Sequence, residues 1–230
     1  MPAHNTSKYI EEAMNSVFQQ SHRDWDLLVV DDGSTDKTLE IASFLGRDKN
    51  VSVVSLSKNK GVAEATRIGL EMAVGPIITV VDSDDVIYDF SLASVIPEFE
   101  QSPHLGFAWT KFVRSNGRPG WSRDLPYGVV LFRALTQRNW WCCSHQRFVR
   151  KSLYMESPRL RGRFKYSSDF QLALVMGATG CKTKHIDKIT YWYRQGRSTS
   201  ISGGKMQEQR DCVRKMIKWA KSGFRDGEMK

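Results

Sequence analysis

Long apolar runs are what this chain most clearly lacks. No stretch approaches the roughly 18 to 20 consecutive apolar residues that span a bilayer, and no charged start followed by an apolar stretch marks a secretory leader. A cytoplasmic protein is the expectation. Cysteine is scarce, with four among 230 residues, Cys142, Cys143, Cys181 and Cys212. An adjacent pair and two distant partners match neither zinc-ligand spacing nor a disulfide framework, so reduced thiols in ordinary packing are expected. Acidic residues are outnumbered, 25 against 34 Lys and Arg, which leaves a formal net charge of +9. The excess is uneven: Arg147, Arg150, Lys151, Arg159, Arg161, Arg163 and Lys165 crowd one stretch, and residues 205 to 230 are basic again. Such charge suits phosphates, anionic lipid or nucleic acid, or serves only as a soluble surface. There is no internal repeat and no low-complexity segment, and the length suits one domain with at most a small appendage.

What is present is alternation. Ile10, Ala13, Met14, Val17 and Phe18 mark one face of an amphipathic helix opened by Thr6 or Ser7. Leu27 to Val30 form a short apolar run of the kind buried on both faces in a parallel sheet. A helix (Leu39, Ala42, Leu45), a strand (Val51 to Leu56), a helix (Val62, Ala65, Gly69, Ala73) and a strand (Ile77 to Val81) follow. This order predicts an α/β fold with a mostly parallel central sheet flanked by helices, its binding edge at the carboxyl ends of the strands. Beyond Asp85 the rhythm changes, to a helix from Leu92 to Phe99, a strand from Leu105 to Val113, a turn at Asn116-Gly117 and helical faces at Phe170 to Gly177 and Met206 to Ala220.

Two acidic clusters fall at the predicted binding edge. Asp31 and Asp32 close one strand, and Asp82, Ser83, Asp84 and Asp85 close another. Hard divalent cations take oxygen ligands, and Mg²⁺ or Mn²⁺ is commonly held by one or two carboxylates together with substrate phosphates. On an extended backbone Asp82 and Asp84 share a side while Ser83 points away.

The order of these motifs resembles family 2 glycosyltransferases of the GT-A fold. "PAHN" at residues 2 to 5, "WDLLVVDDGSTDKT", "NKGVAEATRIGLEMAVG" and "IITVVDSDD" carry the resemblance almost without gaps over residues 2 to 90. Further on, "YSSDFQLALVMGATGCK" resembles the segment bearing the catalytic base, and "ITYWYRQGRSTSIS" the strand and loop near the diphosphate; the match is thin from 114 to 160. The resemblance implies a GT-A domain over 1–204, with a nucleotide-sugar half (1–90) and an acceptor and catalytic half (91–204), followed by a basic amphipathic helix and tail over 205–230.

It also implies roles. Pro2, Ala3 and His4 line the nucleobase, His4 standing where the family commonly has Tyr, and Asp32 accepts a hydrogen bond from the base while Asp31 supports the turn. Asp82 and Asp84 match the metal motif, Asp82, beside Ser83, lying nearer the ribose and Asp84 contacting the Mn²⁺ or Mg²⁺ ion most directly. Asp85 orders the loop. Asp169 is the general base, with Ser168 where the family usually carries another acid. Arg194 and Arg197 meet the diphosphate, although Gly196 replaces a customary His. Arg67 contacts the same nucleotide, with Thr66 in the more usual arginine slot. Trp121, Trp140 and Trp141 stack on acceptor sugars or simply pack, and the basic stretch 147–165 faces a phosphorylated acceptor or solvent.

The activity implied is inverting transfer from a nucleotide-diphosphate sugar, UDP first, to a hydroxyl of a growing polysaccharide or lipid-linked glycan, with a basic surface suited to an anionic membrane. Sugar-phosphate nucleotidyltransferases are the competing enzyme class, but they need a glycine-rich loop with a basic residue, and "PAHNTSKY" is not one. A non-catalytic binding module and transfer onto modified DNA complete the alternatives. One departure stands out: the family's first strand, central in the sheet, is expected to be absent, because nothing strand-like precedes Pro2. Its loss would orphan backbone groups at about 1 to 3 kcal/mol each.

Overall fold

The computed structural model describes every residue except 121, 126–130, 138–141, 144, 158–163, 165–166, 197–205 and 225–230. The first half is β-α-β in rhythm: β1 (Pro2–Ala3), α1 (Ile10–Phe18), β2 (Leu27–Asp31), α2 (Thr38–Leu45), β3 (Val51–Ser55), α3 (Val62–Met72) and β4 (Ile77–Thr79). Then come β5 (Val86–Ile87), α4 (Ser91–Gln101), β6 (Leu105–Arg114), α5 (Leu131–Gln137), β7 (Arg147–Arg150), α6 (Lys151–Glu156), α7 (Ser168–Ala178), β8 (Lys182–Tyr193) and α8 (Met206–Lys221).

The strands form two sheets. One is parallel, in the order β1-β2-β3, with Leu27 to Asp31 opposite Val51 to Ser55. The other is mixed, in the order β4-β7-β6-β8-β5, and only its β6–β8 pair is parallel. The α/β class and the flanking helices are as the alternation predicts. The run Ile77 to Val81, however, leaves the parallel sheet and pairs antiparallel with β7.

Apolar periodicity places the core. Ile10, Ala13, Met14 and Val17 turn α1 onto Leu27 and Val29 of β2, each large side chain contributing roughly 1.5 to 3 kcal/mol on burial. A second cluster joins Phe107 and Trp109 of β6 to the buried face of α7 and to Met216 and Trp219 of α8. Among the described residues no helix is long and apolar enough to cross a membrane.

Of the first strand expected to be absent, two residues stand in register. Pro2 and Ala3 pair parallel with Val30 and Asp31. The amide of Val30 donates to the Met1 carbonyl at 2.9 Å, and the amino terminus donates to the Leu28 carbonyl at 2.7 Å. Below this stub a cavity of about 800 Å³ opens between β2 and β4, lined by Leu28, Val54, Gly69, Leu70, Ile78 and Val80 among others. Burial pushes the Met1 amino group from 8.0 down to about 5, against the opposing pull of the Asp82 charge.

Candidate active site

The loop after β1 ties the two acidic clusters together. His4 Nδ1 lies 2.9 Å from the Asp32 carbonyl, and the Thr6 hydroxyl donates to Ser83 Oγ at 3.1 Å. Thr6 therefore does not cap α1 with its side chain; its carbonyl receives the amides of Tyr9 and Ile10 instead. The hydroxyl expected at the helix start is drawn into the site.

Asp31 and Asp32 are buried at the end of β2. Asp31 Oδ2 accepts from the Ser55 hydroxyl at 3.0 Å and the Ser34 amide at 3.3 Å, while its Oδ1 is buried with no hydrogen-bond partner among the described residues. Asp32 receives the amides of Lys60 and Gly61, one on each carboxylate oxygen, at 2.7 and 2.8 Å. Gly33 makes this possible. Its φ is +64°, and a Cβ there would lie 2.7 Å from the Lys58 carbonyl carbon, so any side chain would push the 58–61 loop off the acid.

Residues 82 to 85 form a turn: the Asp85 amide donates to the Asp82 carbonyl at 3.2 Å. The extended alternation that pairs Asp82 with Asp84 gives way, and the carboxylates of Asp82 and Asp85 face each other. With His145 they form a group whose ligand atoms all lie within 4.8 Å of one another. Asp85 is buried. Its Oδ2 accepts from the Tyr191 hydroxyl at 2.8 Å and its Oδ1 from the Arg194 amide at 2.8 Å, and the Asp82 amide donates to Tyr191 Oη at 3.2 Å. Burial, followed by the neighbouring Asp82 charge, raises Asp85 from 3.8 to about 7. Asp84 is also buried, and its carbonyl accepts from Arg194 Nε at 2.8 Å.

His145 was not legible as a site residue. It stacks on Tyr191 and Tyr193, at 4.8 and 5.2 Å between ring centres. Burial, and then the positive charge of Arg147, hold its proton affinity well below the ordinary range, so the imidazole is neutral. Two carboxylates suit either Mn²⁺ or Mg²⁺, and the neutral imidazole nitrogen beside them favours Mn²⁺. A dication would also offset the crowding of like charge that raises Asp85.

Asp169 lies in the first turn of α7, half exposed, with Oδ1 receiving the Phe170 amide at 2.8 Å and Oδ2 3.7 Å from Arg147 Nη1. Arg194 stacks over the rings of Tyr9 and Trp192 at 4.9 and 4.6 Å and is ion-paired to Glu12. Arg67 is clamped on its own helix by Glu64 at 2.7 Å and Glu71 at 2.6 Å. Arg197, Trp121, Trp140 and Trp141 lie outside the described residues.

A parallel first half, acids at the ends of its strands, and a mixed sheet bringing a further carboxylate at a helix start together make up the GT-A fold. Residues 1–157 match the model of glycosyl transferase family 2, and the chain belongs to that family. It is 27% identical over 211 residues to chondroitin synthase of Escherichia coli, covering 91% of this chain and 30% of the relative. It is also 32% identical over 102 residues to glycosyltransferase GlyG of Streptococcus pneumoniae serotype 4, covering 44% and 34%. The chain thus spans about a third of the length of these curated relatives. Among solved structures, S. aureus TarS 1-349 in complex with UDP-GlcNAc superposes with a TM-score of 0.72 at 22% identity, over 94% of this chain and 63% of that one. A mannosyltransferase of Pyrobaculum calidifontis in complex with GDP-Man and Mn²⁺ superposes with a TM-score of 0.66 at 18% identity, over 100% and 64%.

Proposed function

We propose that this chain transfers a sugar from a nucleotide-diphosphate donor, UDP-linked, to an acceptor hydroxyl with inversion. The observation that carries the reading is the short segment from His145 to Arg147. At one end His145 completes the acid group with Asp82 and Asp85, and two residues on Arg147 meets Asp169. A charge-stabilising centre and a candidate base are thereby held on one piece of backbone.

In this reading residues 1–90 hold the donor and 91–204 the acceptor. The loop from Pro2 to His4 and the acids Asp31 and Asp32 form the nucleoside side, and Asp82, Asp84 and Asp85 the diphosphate side with His145. Bound there, Mn²⁺ or Mg²⁺ would supply Lewis-acid stabilisation of the departing diphosphate. Asp169 takes the proton of the attacking hydroxyl as the new C–O bond forms at the anomeric carbon and the bond to the diphosphate breaks on the opposite face. The UDP-GlcNAc complex of TarS supports the donor, and the names of the relatives support a polysaccharide acceptor. Docking of the basic surface on anionic membrane belongs to the same reading.

Asp169→Asn tests it. A nucleotide-sugar panel with Mn²⁺ identifies the donor that the parent turns over. The variant should then lose at least about 100-fold in turnover while binding UDP as the parent does by calorimetry. Undiminished turnover would remove Asp169 from the mechanism.

A further inference from the structure

We propose that Arg147 is the positioning residue of the candidate base, holding the Asp169 carboxylate in its working orientation from beneath. The inference rests on the reading of Asp169 as base and deepens it. Arg147 opens β7, where it pairs with Trp109 of β6, and its side chain is 5% exposed while that of Asp169 is 32% exposed. A guanidinium never gives up its proton at working pH, and a buried one needs a counter-charge. Asp169 provides it at 3.7 Å from Nη1.

The geometry divides the two oxygens of Asp169. Oδ2 is the one facing Arg147, and Oδ1 receives the amide of the next residue in α7. Rotation of the side chain would break both contacts, so strand and helix together fix the plane of the carboxylate. Catalysis by a base is sensitive to this, because a displacement of about 1 Å can lose 100-fold in rate. The strand that carries Arg147 is itself anchored: the Thr79 hydroxyl donates to the Arg147 carbonyl at 2.8 Å, and β7 lies between β4 and β6. A positioning group on a central strand is more rigid than one on a loop. The basic stretch beginning at Arg147 is therefore not uniform in role, since its first member points into the molecule.

The test uses the full-length chain, Mn²⁺ and the nucleotide sugar that the parent turns over fastest, with Asp169→Asn, Arg147→Met and Arg147→Lys. Folding is checked by thermal melting. Arg147→Met should lose about 10- to 100-fold in kcat with the donor KM within about two-fold of the parent, because only orientation at the base has changed. Arg147→Lys should recover part of the loss, as a charge on a shorter reach with no fork. If Arg147→Met does not fold, the decision passes to Arg147→Lys, whose kcat must fall several-fold at unchanged KM. A folded Arg147→Met with parental kcat, or one whose defect lies in KM, overturns the proposal. An active Asp169→Asn instead overturns the reading of the base, whatever Arg147 does.

Discussion

Asp85 concentrates the electrostatic tension of the site in one carboxyl group. Its proton affinity is raised from 3.8 to about 7 by burial and by Asp82, although Tyr191 and the Arg194 amide pull the other way. In the metal-free protein the folded state holds a proton on Asp85 that the unfolded chain has released between about pH 4 and pH 7. The stability this confers is complete below the unfolded value and is lost as pH rises through the folded one. Relative to Asp85→Asn, the parent should therefore lose on the order of 4 kcal/mol across that window. Urea denaturation at several pH values reads the difference; a pH-independent gap would show Asp85 already ionised in the fold. The same residue shows a limit of sequence reading. "DSDD" offers three carboxylates, but which of them meet depends on a turn closed by the Asp85 amide, and no spacing rule specifies it.

Among the elements, α3 carries a residue that suits neither helix nor core. Gly69 lies inside the helix, and a Cβ there would meet only Val30 Cγ2, at 3.6 Å. Gly69→Ala should raise stability by about 1 kcal/mol, through helix propensity alone, read as a higher denaturant midpoint with an unchanged slope. Helices α1 to α4 and strands β2, β3, β4 and β6 were legible because their periods are local, whereas the two-residue β1 was expected to be absent. Ile10, Ala13, Met14 and Val17 are all buried, as their spacing requires. Strands β5 and β7, and the first half of β8, were not. In β8, Lys182, Lys184, Asp187 and Lys188 are exposed, and before Thr190 only Ile186 is buried. β7 reads as part of a basic patch, yet Arg147 is buried and Arg150 donates to the carbonyls of Phe99, Ser102 and Leu105. Both strands owe their place to partners distant in sequence, which is context rather than propensity. His145 was hidden for the same reason: its neighbours are Tyr191 and Tyr193, more than forty positions away along the chain.

Across the whole molecule, the parallel sheet and the mixed sheet come side by side with a cavity of about 800 Å³ between β2 and β4. The amino terminus is buried at its rim. Its proton affinity is lowered from 8.0 to about 5, so the unfolded chain holds the extra proton between those values. Stability from this group is complete above pH 8 and declines as pH falls toward 5, opposite in sign to Asp85. In the folded protein an amine-selective reagent at neutral pH should label exposed lysines well before Met1, with peptide mass spectrometry reading the order. Equal labelling would place the amine in solvent.

That buried amine has a practical side. A fluorophore or affinity handle placed at Met1 would sit directly against the hydrogen bonds that Met1 makes with Leu28 and Val30. One placed at the exposed Asn116-Gly117 turn would disturb neither. The first choice alters the molecule on which it is meant to report.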